Sequence, residues 1–311
     1  MCYTPFMFDV VIIGGGPAGM AAAVYFARQK LSFAMFAGQL GGQVIWSSDV
    51  ENYLGIHRVN GVQLVELFQK HLEDYRKAMD VFEQEPVLDI KKIPGGFEIK
   101  TAVRTYQAVT VLIATGTEHR KLHVPGEERL NSKGVTYCAT CEAPLTVGQD
   151  VAVIGGGNSA MDAALLLAKY SKSVTILTIN PALSGDEVMK SRCEQDPKIK
   201  VLTNATTVKF EGDTRLESLV YEQEGKQHTL PVYDVFIEVG LMPQSGMISF
   251  VGKNAQGEII VDKVGKTNVD GIWSAGDVTD TPVKQVAVAV GDGSRAAVDI
   301  IRYLQSHPSH L

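Results

Sequence analysis

The sequence predicts an α/β protein built from two Rossmann-like, three-layer ββα nucleotide-binding domains. Three observations predict it: a strand–turn–helix pattern that occurs twice, a glycine fingerprint inside each copy, and a second apolar run after each predicted helix. Residues 9–27 read DVVIIGGGPAGMAAAVYFA and residues 150–168 read DVAVIGGGNSAMDAALLLA; at a constant offset of 141 they are identical at 10 of 19 positions. A repeat of this kind comes first because it defines the unit from which the fold is built.

Each copy starts with a short β-branched run, residues 10–13 and 151–154, which suits a strand buried on both faces. A three-glycine turn follows, then an Ala- and Leu-rich stretch of about three helical turns. A second apolar run, residues 33–36 and 174–177, completes β-α-β in each copy. The turns carry Gly14-x-Gly16-x-x-Gly19, with Pro17 and Ala18 before the third glycine, and Gly155-x-Gly157-x-x-Ala160, with Asn158 and Ser159 in the same places. The first glycine permits the tight turn, and the second lets the backbone approach a pyrophosphate. The third small residue lets helix pack on strand, so that the helix N-terminus faces the phosphates. One such motif is a weak signal, since glycine turns before helices are common; two copies in strand–turn–helix context point to two bound dinucleotides.

The rest of the chain fits two interleaved domains. Residues 109–114 form another β-branched run ending at Ala114-Thr115-Gly116, where the chain is expected to leave the first domain. Residues 1–117 with 245–311 are expected to form that domain, and residues 118–244 the second. Residues 271–277 (GIWSAGD) read as a buried strand ending at an acidic residue, and residues 291–304 as a closing helix with Pro308 beyond its end. The polar stretch 211–229 reads as surface hairpins.

A length of 311 residues suits about two domains. With 29 Lys+Arg against 35 Asp+Glu the net charge is −6, and no run of five like charges occurs, which argues against a nucleic-acid or anionic-membrane surface. Residues 10–27 carry no charge over 18 positions, the length of a membrane span, but glycines and Pro17 interrupt them. A strand, a turn and a buried helix are expected there, and no Lys or Arg precedes the segment to make a signal sequence. Four cysteines are too few for a disulfide scaffold, so a reducing, cytoplasmic setting is expected.

Cys138-Ala139-Thr140-Cys141 is the chemical centre. A CxxC spacing closes a small disulfide, and the proximity of one thiol lowers the pKa of the other, giving a reactive thiolate. The competing readings are half of a zinc site and an inert buried pair. Zinc needs four ligands, and the remaining cysteines, Cys2 and Cys193, are far apart with no histidine within a few residues of either. Redox work is favoured, no metal is expected, and Cys2 and Cys193 read as bystanders.

With these motifs in this order, the chain resembles the low-molecular-weight thioredoxin reductases over essentially its whole length. It is also similar to the matching part of the flavoprotein component of alkyl hydroperoxide reductase. The resembling residues are 14–19, 38–43 (GQLGGQ), 49–55 (DVENYLG), 114–116, 138–141, 155–160, 276–277 and 284–285. The resemblance implies a pyridine nucleotide-disulfide oxidoreductase fold, bound FAD, NAD(P)H as donor, a homodimer, and reduction of the disulfide of a thioredoxin-like protein. It places Gly14, Gly16, Pro17, Ala18, Gly19, Gln39, Gln43, Asn52, Ala114, Thr115, Gly116, Gly276, Asp277, Lys284 and Gln285 at FAD. Gly155, Gly157, Asn158, Ser159 and Ala160 fall at the pyridine nucleotide. By the same resemblance Cys141 is the thiol beside the flavin, Cys138 is the exchange thiol, and Asp277 holds the ribityl chain, with the second domain moving between steps. A helix N-cap before Val278 is the alternative reading of Asp277, and turn or capping roles are the alternatives for Gln43, Asn52 and Gln285.

The chain departs from these relatives in two places. The family has Asp after the second cysteine, acting as general acid toward the departing thiolate. Here the residue is Glu142, one methylene longer, with a solvated side chain as the alternative reading. NADPH-using members follow the second strand of the second domain with His-Arg-Arg and a further Arg, which clamp the 2′-phosphate. Here the triplet is Thr178-Ile179-Asn180, the later position is Ser184, and no Lys or Arg occurs between Val174 and Lys190. A phosphate without charge-assisted partners forfeits roughly 1.5–3 kcal/mol per lost hydrogen bond, so NADH is expected over NADPH, with Thr178 and Asn180 nearest the ribose. The acidic residue that NADH enzymes place there is absent too, which leaves weak or dual NAD(P)H use as the second reading and a non-pyridine donor such as ferredoxin as the third.

Two rival functions share parts of the pattern. A ferredoxin–NAD(P) reductase has the two-domain fold but needs no dithiol, and an NAD-sensing module with a regulatory dithiol needs no flavin. Only eight residues precede Asp9, so a relay toward peroxide is expected to use a separate thioredoxin-like protein.

Overall fold

The structure, a computed structural model, describes residues 7–46, 50 and 52–307, the side chains of residues 46, 78, 140 and 141 excepted. Cys2, and positions 49 and 51 of the DVENYLG stretch, lie outside the described residues. The chain divides into two compact units: Met1–Glu118 with Met242–Leu311, and His119–Leu241.

In chain order the first unit contributes β1 (Met7–Ile13), α1 (Pro17–Arg28), β2 (Phe33–Ala37), α2 (Gly61–Glu73), β3 (Asp80–Glu83), β4 (Val87–Ile93), β5 (Gly96–Thr101) and β6 (Thr105–Ile113). The connecting strand β7 (Thr117–His119) leads to β8 (Val135–Thr136), α3 (Ala139–Glu142), β9 (Asp150–Ile154), α4 (Asn158–Ala168) and β10 (Ser173–Leu177). Then come α5 (Glu187–Gln195), β11 (Ile199–Leu202), β12 (Thr206–Glu211), β13 (Ser218–Gln223), β14 (Lys226–Pro231) and β15 (Asp234–Ile237). The returning strand β16 (Leu241–Pro243) pairs with β7, and β17 (Ile272–Ser274) and α6 (Val286–Ser306) complete the first unit.

The sheet of the first unit runs β3-β2-β1-β6-β5-β4, with β17 also on β6. β1 pairs in parallel with β2 and β6, placing Val10 opposite both Phe33 and Thr110, while β4 and β5 form an antiparallel hairpin. Alternate residues of β1 feed opposite cores: Val10 and Ile12 pack with residues of α1 and α6, and Val11 and Ile13 with Phe36, Ile99 and Ile272. A strand buried on both faces has no polar position to spare, which is why residues 10–13 of β1, past the half-buried Asp9, are an uninterrupted apolar run. α2 starts in a capping box, Asn60 Oδ1 accepting from Gln63 N at 2.8 Å and Gln63 Oε1 from Asn60 N at 3.0 Å.

α6 begins at Val286, ahead of the start at position 291 expected from the sequence. Gly291 and Gly293 therefore lie inside the helix. A Cβ on Gly293 would stand 2.0 Å from the Ala18 carbonyl oxygen, so glycine there lets α1 and α6 meet backbone to backbone. That contact outweighs the poor helix propensity of glycine.

The second unit has a five-stranded parallel sheet, β11-β10-β9-β15-β8. Val151 and Val153 of β9 pack toward α4, and Ala152 and Ile154 toward Phe210 and Leu219 of the antiparallel meander β12-β13-β14, which spans the predicted hairpins. In each sheet the fingerprint strand lies where strand order reverses, β1 between β2 and β6 and β9 between β10 and β15. Ligands of open α/β sheets bind beyond the carboxyl ends of strands at such points. Among the described residues, no helix is long and apolar enough to cross a membrane.

Candidate active site

In the first unit, two close approaches shape the turn after β1. Gly14 has φ +118°, and a Cβ there would lie 2.0 Å from the Ala114 carbonyl oxygen; a Cβ on Gly19 would lie 2.0 Å from the Gly14 carbonyl oxygen. Gly16 is different, with open space where its Cβ would be. It is also the N-cap of α1 and no side chain caps that end; Pro17 opens the helix and Ala18 is buried. The first N–H groups of α1 are therefore offered to an incoming anion.

The segments around this turn are tied by polar contacts. Gly41 N donates to the Gly15 carbonyl at 2.7 Å, leaving Gln39 exposed. Gln43 Nε2 donates to the Thr117 carbonyl and, at 2.7 Å, to Thr117 Oγ1. Thr115 Oγ1 donates to the Gln244 carbonyl at 2.5 Å, and Gln244 N to the Gly116 carbonyl at 2.9 Å. Asn52 Nδ2 donates to Gln285 Oε1 at 2.9 Å; Gln285 precedes α6, but its side chain does not cap the helix.

Asp277 follows β17 and Gly276 on the carboxyl edge of the sheet. No helix begins at Val278. The chain turns there, with Thr279 N and Oγ1 both donating to the Gly276 carbonyl at 3.0 and 2.8 Å, so the helix-cap reading of Asp277 falls. Lys284 Nζ donates to the carbonyls of Asp277 (3.2 Å) and Thr279 and pairs with Glu258 at 3.0 Å, fastening the turn that presents Asp277. Burial raises the Asp277 carboxyl above its ordinary pKa, Lys284 opposes this and Asp292 on α6 adds to it.

The second unit repeats the cradle. Gly155 has φ +146°, and its Cβ would lie 2.1 Å from the Glu238 carbonyl oxygen; a Cβ on Gly156 would lie 2.3 Å from Thr178 Oγ1. Gly157 faces open space and caps α4 without side-chain help, with Asn158 and Ser159 exposed on the first turn and Ala160 buried. Asn158 Oδ1 accepts from Asp186 N at 2.9 Å, and Ser184 N donates to the Gly156 carbonyl at 2.7 Å, so the segment after β10 folds back on the turn. Thr178 lies buried under Gly156, its Oγ1 accepting from Asn180 N at 3.2 Å, while Asn180 is exposed. Glu238, immediately after β15, is pushed up to about 7 by burial and by the like charge of Asp162.

Cys138 follows β8, half-buried and disulfide-bonded, with its N–H donated to Thr136 Oγ1 at 3.2 Å. Cys141 belongs to the four-residue α3, and its side chain lies outside those described. Glu142 ends that helix, half-buried, its N–H on the Cys138 carbonyl at 3.3 Å. Cys193 on α5 is free and fully buried, and burial, with nearby acidic charge, pushes its thiol up to about 11, which makes it unreactive.

Sequence reasoning missed two side-chain pairs near the dithiol. Asp234, 3% exposed, pairs with Arg215 Nη2 at 2.5 Å, yet its carboxyl is pushed up to about 6, because burial outweighs the pairing and Glu142 adds like charge. Tyr137 and Glu127 are hydrogen-bonded side chain to side chain at 2.6 Å. No spacing rule links positions 127 and 137, or 215 and 234; tertiary folding alone brings each pair together.

The pyridine nucleotide-disulphide oxidoreductase family matches residues 8–293. The chain is 36% identical over 301 residues to an NADH dehydrogenase of Bacillus subtilis (strain 168), a match covering 96% of this chain and 58% of that protein. It is 35% identical over 305 residues to the F component of the alkyl hydroperoxide reductase of Escherichia coli (strain K12), again covering 96% and 58%. The chain thus spans a little under three fifths of the length of these curated relatives. Its fold is similar to the crystal structure of Lactococcus lactis thioredoxin reductase, with a TM-score of 0.87 and 34% identity, covering 96% of this chain and 99% of that one.

Proposed function

The chain belongs to the pyridine nucleotide-disulphide oxidoreductase family and is thioredoxin reductase-like, and on that premise we propose that it carries electrons from NADH, in preference to NADPH, through FAD and the Cys138/Cys141 dithiol to the disulfide of a thioredoxin-like protein. One observation carries the reading: a disulfide-bonded Cys138 and a second glycine fingerprint occupy the same compact unit.

The residues of the first unit fit FAD. The uncapped start of α1 and the open face of Gly16 suit a pyrophosphate. Among the described residues nothing donates a hydrogen bond to the Asp277 carboxylate, which suits a ribityl hydroxyl. Gln39, Gln43, Asn52, Ala114, Thr115, Gly116, Gly276, Lys284 and Gln285 belong to the same proposed site. When bound, the flavin supplies a two-electron acceptor and donor.

The chain's own chemistry is thiol–disulfide exchange. The Cys138 thiolate attacks one sulfur of the substrate disulfide and displaces the other as a thiolate, which Glu142 protonates. Cys141, as a thiolate, then attacks Cys138 Sγ, closes the enzyme disulfide and releases the second substrate sulfur for protonation. Two enzyme thiols are oxidised and one substrate disulfide becomes two thiols, a transfer of two electrons.

Residues 174–189 contain no Lys or Arg, which supports NADH over NADPH, since that segment offers a 2′-phosphate no charged partner. Gly155, Gly157, Asn158, Ser159 and Ala160 would face the pyrophosphate, with Thr178 and Asn180 toward the ribose. A second reading, a donor such as ferredoxin, draws support from the absence of both the basic clamp and an acidic ribose ligand. A homodimer and a cytoplasmic setting belong to the same proposal.

Parallel anaerobic titration of the oxidised flavoprotein with NADH, NADPH and reduced ferredoxin tests the reading. NADH is expected to bleach the flavin at the lowest concentration, and a thioredoxin-like disulfide to restore the colour. Preference for NADPH overturns the donor assignment, and full turnover by Cys138→Ser overturns the dithiol route.

A further inference from the structure

Tyr137 immediately precedes Cys138, and the groups that hold its side chain come from elsewhere in the chain. Its Oη donates to Glu127 Oε1 at 2.6 Å. Glu127 is 2% exposed, and its carboxylate also accepts the N–H groups of Leu122 at 2.8 Å and Val124 at 3.3 Å. A buried carboxylate holding three donors cannot swing without leaving them unpaired, so it is a stiff anchor. Burial, then the bond to Glu127, raises the phenol above its usual range and keeps it a neutral donor.

The ring of Tyr137 packs against His119, centroids 5.9 Å apart and planes at 39°. His119 ends β7 and opens the second unit, and burial lowers its pKa, so an uncharged imidazole lies against the phenol at neutral pH. The main chain that leaves this fixed ring becomes Cys138, whose N–H is itself held by Thr136 Oγ1 at 3.2 Å.

We propose that Tyr137 is the positioning residue of the exchange thiol: Glu127 holds its hydroxyl, His119 packs on its ring, and the main chain that presents the Cys138 sulfur is fixed as a result. The inference rests on the dithiol reading above and adds to it the residue that sets exchange geometry. Exchange requires the attacking, central and leaving sulfurs to align, so a small loss of backbone order costs rate. Reduction of the flavin makes and breaks no bond to sulfur, so it is expected to be indifferent to Tyr137.

Tyr137→Phe deletes the hydroxyl and keeps the ring. In the flavin-loaded enzyme, stopped-flow absorbance separates flavin reduction, by whichever donor bleaches the wild type, from reoxidation of the reduced enzyme by 5,5′-dithiobis(2-nitrobenzoate). Alkylation of Cys138 by iodoacetamide in dithiothreitol-reduced, desalted protein, followed by mass spectrometry from pH 6 to 9, gives a second readout that needs neither donor nor substrate. The variant is expected to exchange about 10-fold more slowly, with flavin reduction within about twofold of wild type. Glu127→Gln, which keeps an acceptor oxygen for the phenol, is expected to retain the exchange rate within about threefold. A fall of about threefold or more in exchange or in Cys138 alkylation, with flavin reduction intact, supports the proposal. Unchanged exchange and alkylation overturn it, and so does a parallel loss of both half-reactions. If the wild type itself reduces no disulfide, the dithiol function fails and the alkylation profile alone decides the positioning role.

Discussion

Asn52 Nδ2 donates to Gln285 Oε1 at 2.9 Å, joining the loop before α2 to the start of α6 across 233 positions of sequence. Both residues belong to the proposed flavin site. Asn52→Ala removes the partner that orients Gln285 and is expected to weaken FAD binding roughly fivefold, the worth of about one hydrogen bond. Fluorescence titration of the apoprotein with FAD reads this directly, and unchanged affinity would separate the pair from the flavin.

Gly14 and Gly16 should fail in different ways. Gly14→Ala forces a Cβ within 2.0 Å of the Ala114 carbonyl oxygen at φ +118°, and is expected to cost roughly 2–4 kcal/mol of stability by urea denaturation. Gly16→Ala meets open space and ordinary backbone angles. It should leave the apoprotein stability within about 0.5 kcal/mol of wild type while sharply reducing flavin retention, because the new methyl occupies the approach to the phosphates.

Glu238 is expected to make stability depend on pH. Its folded pKa of about 7 lies above its ordinary value of 4.5, so between those values the folded chain holds a proton that the unfolded chain has lost. This contribution is complete below pH 4.5 and disappears as pH rises through 7. Glu238→Gln, which never ionises, is therefore expected to match wild type near pH 4.5 and to exceed it at pH 8 by about 1–3 kcal/mol. Equal shifts in urea midpoint at both pH values would remove Glu238 as the cause.

The dithiol variants should divide the catalytic cycle. Cys138→Ser is expected to keep flavin reduction and lose reduction of the protein disulfide. Glu142→Gln should slow only the disulfide step, by roughly 10–100-fold for a lost proton donor. Rapid-mixing absorbance of the flavin, with and without disulfide substrate, distinguishes these outcomes.

What was legible in the sequence was mostly local. The two glycine turns, the CxxC and the apolar runs of β1 and β9 each depend on residues close together in the chain, and periodicity and spacing report them. The capping box of α2 is a local signal as well, Asn60 and Gln63 three residues apart. The start of α6 misled because glycine usually marks a helix boundary, whereas Gly293 sits mid-helix for close packing on Ala18. Asp277 offered a helix-cap reading that only the absence of a helix at Val278 removes. The long-range side-chain pairs of the second unit were illegible in principle: Glu127 meets Tyr137, and Arg215 meets Asp234, through folds of the chain that no short pattern encodes.

The contact between Gly293 and Ala18 also orders events during synthesis. Helix α1 leaves the ribosome long before α6, whose residues cover it. The inserted unit, complete by residue 241, has all its strands in hand while the first unit still lacks β17 and α6. The nascent chain must therefore carry the first unit unfinished while the second is already complete, and a pause or truncation before residue 286 would strand the apolar face of α1 in water.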